Sequence, residues 1–154
     1  FCGRAEFRLK LRADNADQRL TPLGLSIGCV GAERASVFSE RLSDLERSRA
    51  VLDSLTLTPN EAAAEGLSIN RDGRRRSAFE LLAFPDITIA RLAAIWPELR
   101  EMPAAMASQI EIDARYAAYV RRQDEDVAAL KRDEAIAIPP GFDFASIRSL
   151  SIEI

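Results

Sequence analysis

Two groups of arginines are the residues in this chain whose type and spacing best suit a chemical task. Arg4, Arg8, Lys10, Arg12 and Arg19 stand near the front, and Arg74, Arg75 and Arg76, with Arg71 just before them, form the densest basic run. A guanidinium presents forked donors that match phosphate oxygens, so both groups are candidates for contacting nucleic acid. Arg4, Arg8, Lys10 and Arg12 against Glu6 give +3 over the first twelve residues. Spacing alone favours a plainer explanation for each, a solvated strand face for the first and a solvated loop for the second. All but two of the 21 basic residues, Lys10 and Lys131, are arginine, a bias that the composition of the source genome also explains.

Other chemistry is thinly represented. There is no histidine, which removes the commonest general base, the usual serine and cysteine triads and most zinc sites. Cys2 and Cys29 are too few and too far apart for a disulfide framework or a metal knuckle, and they fit a reducing, cytoplasmic compartment. Gly28 to Gly31 lacks the spacing of a nucleotide-binding loop. The acidic groups Asp124-Glu125-Asp126 and Asp133-Glu134 lie beside Arg121, Arg122, Lys131 and Arg132, as on a salt-bridged solvent face. Trp96 and the tyrosines Tyr116 and Tyr119 fit a core or an interface. No catalytic, cofactor-binding or metal-binding residue is expected in the chain. The net charge of −3 gives no global attraction to nucleic acid or anionic membrane, and no apolar run approaches a bilayer span.

The elements that must position these residues are mainly helical. Ala5, Phe7, Leu9 and Leu11 alternate with Glu6, Arg8, Lys10 and Arg12, the pattern of a half-buried strand with a basic outer face. No other run alternates in this way. Asp14 and Asn15 follow as turn or capping residues, and Thr21-Pro22 suits the start of a short helix ending before Gly28. A longer helix is expected from about Ala32 to Leu55, with Ala35, Phe38, Leu42, Leu45, Leu52 and Leu55 along its inner stripe. Thr58-Pro59-Asn60-Glu61 is a capping box opening a helix that Gly66 closes. Ser77 caps a helix to Ala83, and Thr88 to Trp96 is another. The longest helix is expected over about 103–133, with one seam through Met106, Ile110, Ala114, Ala117, Val120, Val127 and Leu130. A second seam through Ile112, Tyr116 and Tyr119 lets two partners pack on it. Ile138-Pro139-Pro140-Gly141 breaks it, and Asp143 caps a last turn, Phe144 to Ile147. The expected fold is an irregular, all-α bundle with one short N-terminal strand. The chain starts at Phe1 and ends in sequence that still reads as structured, so a piece of a longer protein is expected.

The stretch RAEFRLKLRADNADQRLTPLG resembles the segment RAEYRLLLRxDNAxxRLTxxG that begins the C-terminal helical region of the MnmG (GidA) family. A second match, residues 109 to 151, is similar to that family's long helix and the Ile-Pro, Asp-Phe/Tyr and Ser-Leu-Ser segment after it. The resemblance implies the C-terminal helical domain of an FAD-dependent tRNA uridine 5-carboxymethylaminomethyl modification enzyme, which also uses NADH and methylene-tetrahydrofolate. It implies tRNA, the tRNA-modification GTPase MnmE, the FAD domain of the same protein and a homodimeric parent as partners. It divides the chain into a linking strand and turn, 1–20, and a helical domain, 21–154, that stops before the family's last helices, the expected GTPase contact. By position it makes Arg4, Arg8, Arg12 and Arg19 the RNA-facing set, with Asp14, Asn15 and Thr21 shaping the turn. Arg74, Arg75 and Arg76 join the RNA-facing set from their clustering. Cys2-Gly3 departs from the family's Thr-Ser and Lys10 from its Leu, and neither cysteine falls at a family catalytic position.

Overall fold

Local capping signals set most of the helix boundaries. A computed structural model of the chain describes residues 9–137 and Gly141. Its elements are α1 (Ala16–Ser26), α2 (Ala32–Ser54), β1 (Thr56–Leu57), α3 (Pro59–Ala64), β2 (Arg76–Ser77), α4 (Ala78–Leu81), α5 (Ile89–Ile95), a 3-10 turn (Pro97–Glu101) and α6 (Ala104–Glu134). The capping box at Thr58 forms as expected, its hydroxyl accepting from the Glu61 N–H while Glu61 accepts from the Thr58 N–H, and the expected Ser77 cap is completed to a second box by Glu80. Thr88 caps α5. Gly66, at φ 72°, supplies the left-handed turn after α3 that a residue with a Cβ adopts only at a cost. Ser77→Ala is expected to lower stability by about 1 kcal/mol, the usual loss for an N-cap, read as a shift of the urea midpoint at constant slope.

The core lies where α2, α4, α5 and the first half of α6 meet. Leu52, Leu81, Leu82, Ile87, Leu92 and Ile110 are fully buried there. From the expected stripe of α2, Phe38, Leu45 and Leu52 are buried. In α6 the first seam enters the core only in its early part, through Ile110 and Ala114 with Met106 against them. Further along, Leu130 is half exposed, and Tyr116 and Tyr119 of the second seam face outward.

Three local expectations are corrected. The helix expected to open at Thr21-Pro22 begins at Ala16 with Asn15 in the N-cap position. Thr21 is therefore no cap: it is buried inside α1, and its hydroxyl donates to Asp17 Oδ1 at 2.5 Å, one turn back. Pro22 sits within the helix, where it cannot donate to the Gln18 carbonyl. The expected strand does not continue through its second half. Leu9 and Lys10 form a turn and Leu11 and Arg12 an irregular segment, because Asn15 Nδ2 donates to the Lys10 carbonyl at 3.1 Å and folds the chain back. Ala5–Arg8, and the expected turn at Phe144 to Ile147, lie outside the described residues.

The third correction concerns Arg76. Two-residue strands are too short to show any periodicity, yet β1 and β2 pair antiparallel, Thr56 opposite Ser77 and Leu57 opposite Arg76. The Ala78 N–H extends the pairing to the Leu55 carbonyl at 2.7 Å. Arg76 thus belongs to a strand at the edge of the core and not to a loose connector.

Candidate nucleic-acid interface

The sequence-selected arginines fall into two clusters with different fates. In the first, Arg12 leaves the turn and crosses to α6. It donates to both carboxylate oxygens of Asp14, Nε to Oδ1 at 3.0 Å and Nη2 to Oδ2 at 2.7 Å, and Nη2 also donates to Asp113 Oδ1 at 2.6 Å. Gln109 Nε2 donates to Asp14 Oδ2 at 3.1 Å and reaches Asp113 Oδ1 at 3.3 Å. The guanidinium carbon lies 4.9 Å from the Tyr116 ring centroid, within cation–π range. The hydrogen bonds from Arg12 hold the Asp14 carboxyl below its ordinary range, and those same bonds, Asp14's first, raise the guanidinium's affinity for its proton. The Arg12 side chain is only 12% exposed and is engaged by both carboxylates.

Arg19 is engaged in the same knot. Its Nε donates to Asn15 Oδ1 at 2.8 Å and its Nη2 to the Arg12 carbonyl at 3.2 Å. Asn15 holds the turn by these bonds and does not cap α1 with its side chain. Lys10 pairs with Asp124 on α6, and Arg34 of α2 with Asp17 of α1. The motif residues therefore tie the segment before α1 onto α6. Asp113, Gln109 and Tyr116, which complete the network, stand at i+4, i and i+7 on α6. That polar spacing was the available signal, although nothing local pairs it with Arg12, about a hundred residues away.

The second cluster surrounds β2. Arg76 makes a bidentate pair with Asp72, Nη1 to Oδ1 at 3.0 Å and Nη2 to Oδ2 at 2.5 Å, and its side chain is 11% exposed. The hydrogen bond from Arg76 pushes the Asp72 carboxyl down to about 2. Arg74 pairs with Glu80, and Arg75 lies 3.8 Å from Glu61. Those two side chains remain 64% and 54% exposed and can exchange a surface carboxylate for phosphate at little cost. Of the sequence-selected set, Arg12, Arg19 and Arg76 are engaged by partners within the chain and Arg74 and Arg75 face solvent. Arg4 and Arg8 lie outside the described residues.

Neither cluster is arranged for acid–base or nucleophilic chemistry. Asp14 and Asp72 are hydrogen-bonded to arginine and held charged, the opposite of a proton donor poised near neutrality. Among the described residues no group of histidine, cysteine, aspartate and glutamate could hold a metal ion, and Cys29 is an exposed free thiol. No described helix is long and apolar enough to cross a membrane.

Comparison with known proteins fits this architecture. Residues 32–124 match the family model of the tRNA modifying enzyme MnmG/GidA C-terminal helical domain. The whole chain is 38% identical to the tRNA uridine 5-carboxymethylaminomethyl modification enzyme MnmG of Syntrophotalea carbinolica, of which it spans 25%. Two crystal forms of GidA from Aquifex aeolicus superpose on 97% and 98% of the chain, with TM-scores of 0.64 and 0.63 and 25% identity, over 23% and 22% of their own length. The mainly helical reading is thereby borne out, and the chain belongs to the MnmG/GidA family as its C-terminal helical domain.

Proposed function

We propose that this chain is the tRNA- and partner-docking domain of an FAD-dependent enzyme that modifies the wobble uridine of tRNA. The observation that carries the proposal is the end-to-end match to an enzyme named for that tRNA modification, in which the chain accounts for a quarter of the length. The flavin, NADH and methylene-tetrahydrofolate chemistry belongs in this reading to the remainder of the parent, a cytoplasmic homodimer that works with the GTPase MnmE. The domain's own task is to hold RNA and partner in place. Arg74 and Arg75 supply exposed phosphate contacts, Arg4 and Arg8 are further candidates for phosphate contact by their residue type, and Arg12, Arg19, Asp14 and Asn15 keep the entering segment in register.

A protein-only adaptor is the alternative, and one observation favours a protein contact somewhere on this domain. Leu20 and Leu23 on one side of α1, with Ile27 at its C-cap, are 56%, 62% and 78% exposed. Filter binding of a tRNA transcript to the chain over a salt series separates the two. Binding is expected to fall steeply with salt, and Arg74→Gln with Arg75→Gln is expected to lower the log–log slope by about 0.9 for each phosphate no longer engaged. Failure to bind at low salt would leave the adaptor.

A further inference from the structure

We propose that the outward face of α6, formed by Arg115, Tyr119 and Arg122, binds single-stranded RNA by stacking one unpaired base on Tyr119 between two phosphate-contacting arginines. This deepens, and rests on, the reading of the domain as an RNA-docking module. The three residues stand at i, i+4 and i+7, so they share one side of the helix. That side is opposite Ile110 and Ala114, each 1% exposed in the core. Tyr119 is 62% exposed, although neither core packing nor helix propensity calls for an aromatic ring there.

The neighbourhood supports an anionic, flat ligand. Tyr116, one turn back, has the Arg12 guanidinium 4.9 Å from its ring centroid, which fixes it as a wall. With Arg12, Asp14, Ile112, Arg115 and Tyr119 it lines an open cleft of about 530 Å³. Asp14 and Asp113 are engaged by Arg12, and Glu111 accepts from the Ile89 N–H at 2.8 Å. Asp126, one turn beyond Arg122 on the same side, is the acidic boundary of the surface. Arg115 and Arg122 are exposed and have no hydrogen-bonding partner among the described residues, unlike Arg12, Arg19 and Arg76. Aromatic rings with flanking arginines bind bases that are already out of a duplex, because only those offer an open π-face.

The test is binding of a uridine-rich single-stranded oligoribonucleotide and of a blunt RNA duplex to the full chain. Tyr119→Ala is expected to weaken single-strand binding about tenfold with an unchanged salt slope. Tyr119→Phe should retain affinity, and Tyr119→Trp should bind with quenched indole emission. Arg115→Gln with Arg122→Gln should instead lower the slope, by about 0.7 for each phosphate no longer engaged. All these sites are exposed, and circular dichroism should show unchanged unfolding. Equal affinity for the duplex, or full affinity in both the Tyr119→Ala and the double-arginine variants, overturns this inference while leaving RNA docking intact. Absence of binding to any RNA, including the tRNA transcript, overturns both.

Discussion

Arg12→Ala is expected to destabilise the domain by about 3 kcal/mol, the largest effect of any single charged residue in the described structure. The side chain bridges Asp14 and Asp113 while only 12% exposed, and Asp113 is 11% exposed. Its removal leaves two carboxylates facing each other with Gln109 as their remaining shared donor. The cost lies mostly in those stranded charges, so Arg12→Ala combined with Asp14→Asn and Asp113→Asn should recover much of the loss. Arg12→Lys should rescue poorly, because one ammonium cannot reproduce the bidentate fork and the stack on Tyr116.

The same network predicts an acid-side signature. Asp14 titrates below its ordinary value chiefly because Arg12 donates to it. A carboxyl depressed in the folded state stabilises above its unfolded pKa, near 4, and loses that stabilisation as pH falls through the lower folded value. Unfolding free energy should therefore fall below about pH 4 in the unsubstituted chain. In Arg12→Ala the decline should flatten, since Asp14 loses the donor that chiefly lowers its pKa. Urea titrations at pH 7 and pH 3 measure both effects. A loss under about 1 kcal/mol at pH 7 would mean that the bridge is a surface pair and not a clamp.

Leu52→Ala is the second large effect, also about 3 kcal/mol and roughly 10 °C in melting temperature. Leu52 has no exposed surface, and it sits where α2 meets α4 beside Leu81 and Leu82. Truncation opens a cavity between two helices that the short β1–β2 pair also pins, so the walls have little freedom to close. Leu20→Ala is the contrast. At 56% exposure it should change the stability of this chain by less than about 0.5 kcal/mol. Similar losses for both would place the core elsewhere.

The parts of the fold legible in the sequence are those governed by neighbours in the chain. The start of α2 at Ala32, the capping boxes at Thr58 and Ser77, the Thr88 cap and the span of α6 all follow from residues within one or two turns. The β1–β2 pair is not legible, because its two-residue strands have no period and are joined across α3. Nor is the start of α1: Thr-Pro is a good opening pair, whereas the actual opening at Asn15 uses no side-chain cap.

The candidate site divides in the same way. Sequence alone determined that the chain's basic residues are almost all arginine, that histidine is absent, and where those arginines stand. It also determined helical class and, through the RAEFRLKLRADNADQRLT stretch, family. Only the tertiary structure decided which guanidiniums remain available. Arg12 and Arg76 look like Arg74 and Arg75 in the sequence, yet the first two are enclosed by Asp113 and Asp72 and the last two reach solvent. A charge is written in the residue type, but its partner is chosen by which distant segment the packed core brings alongside it.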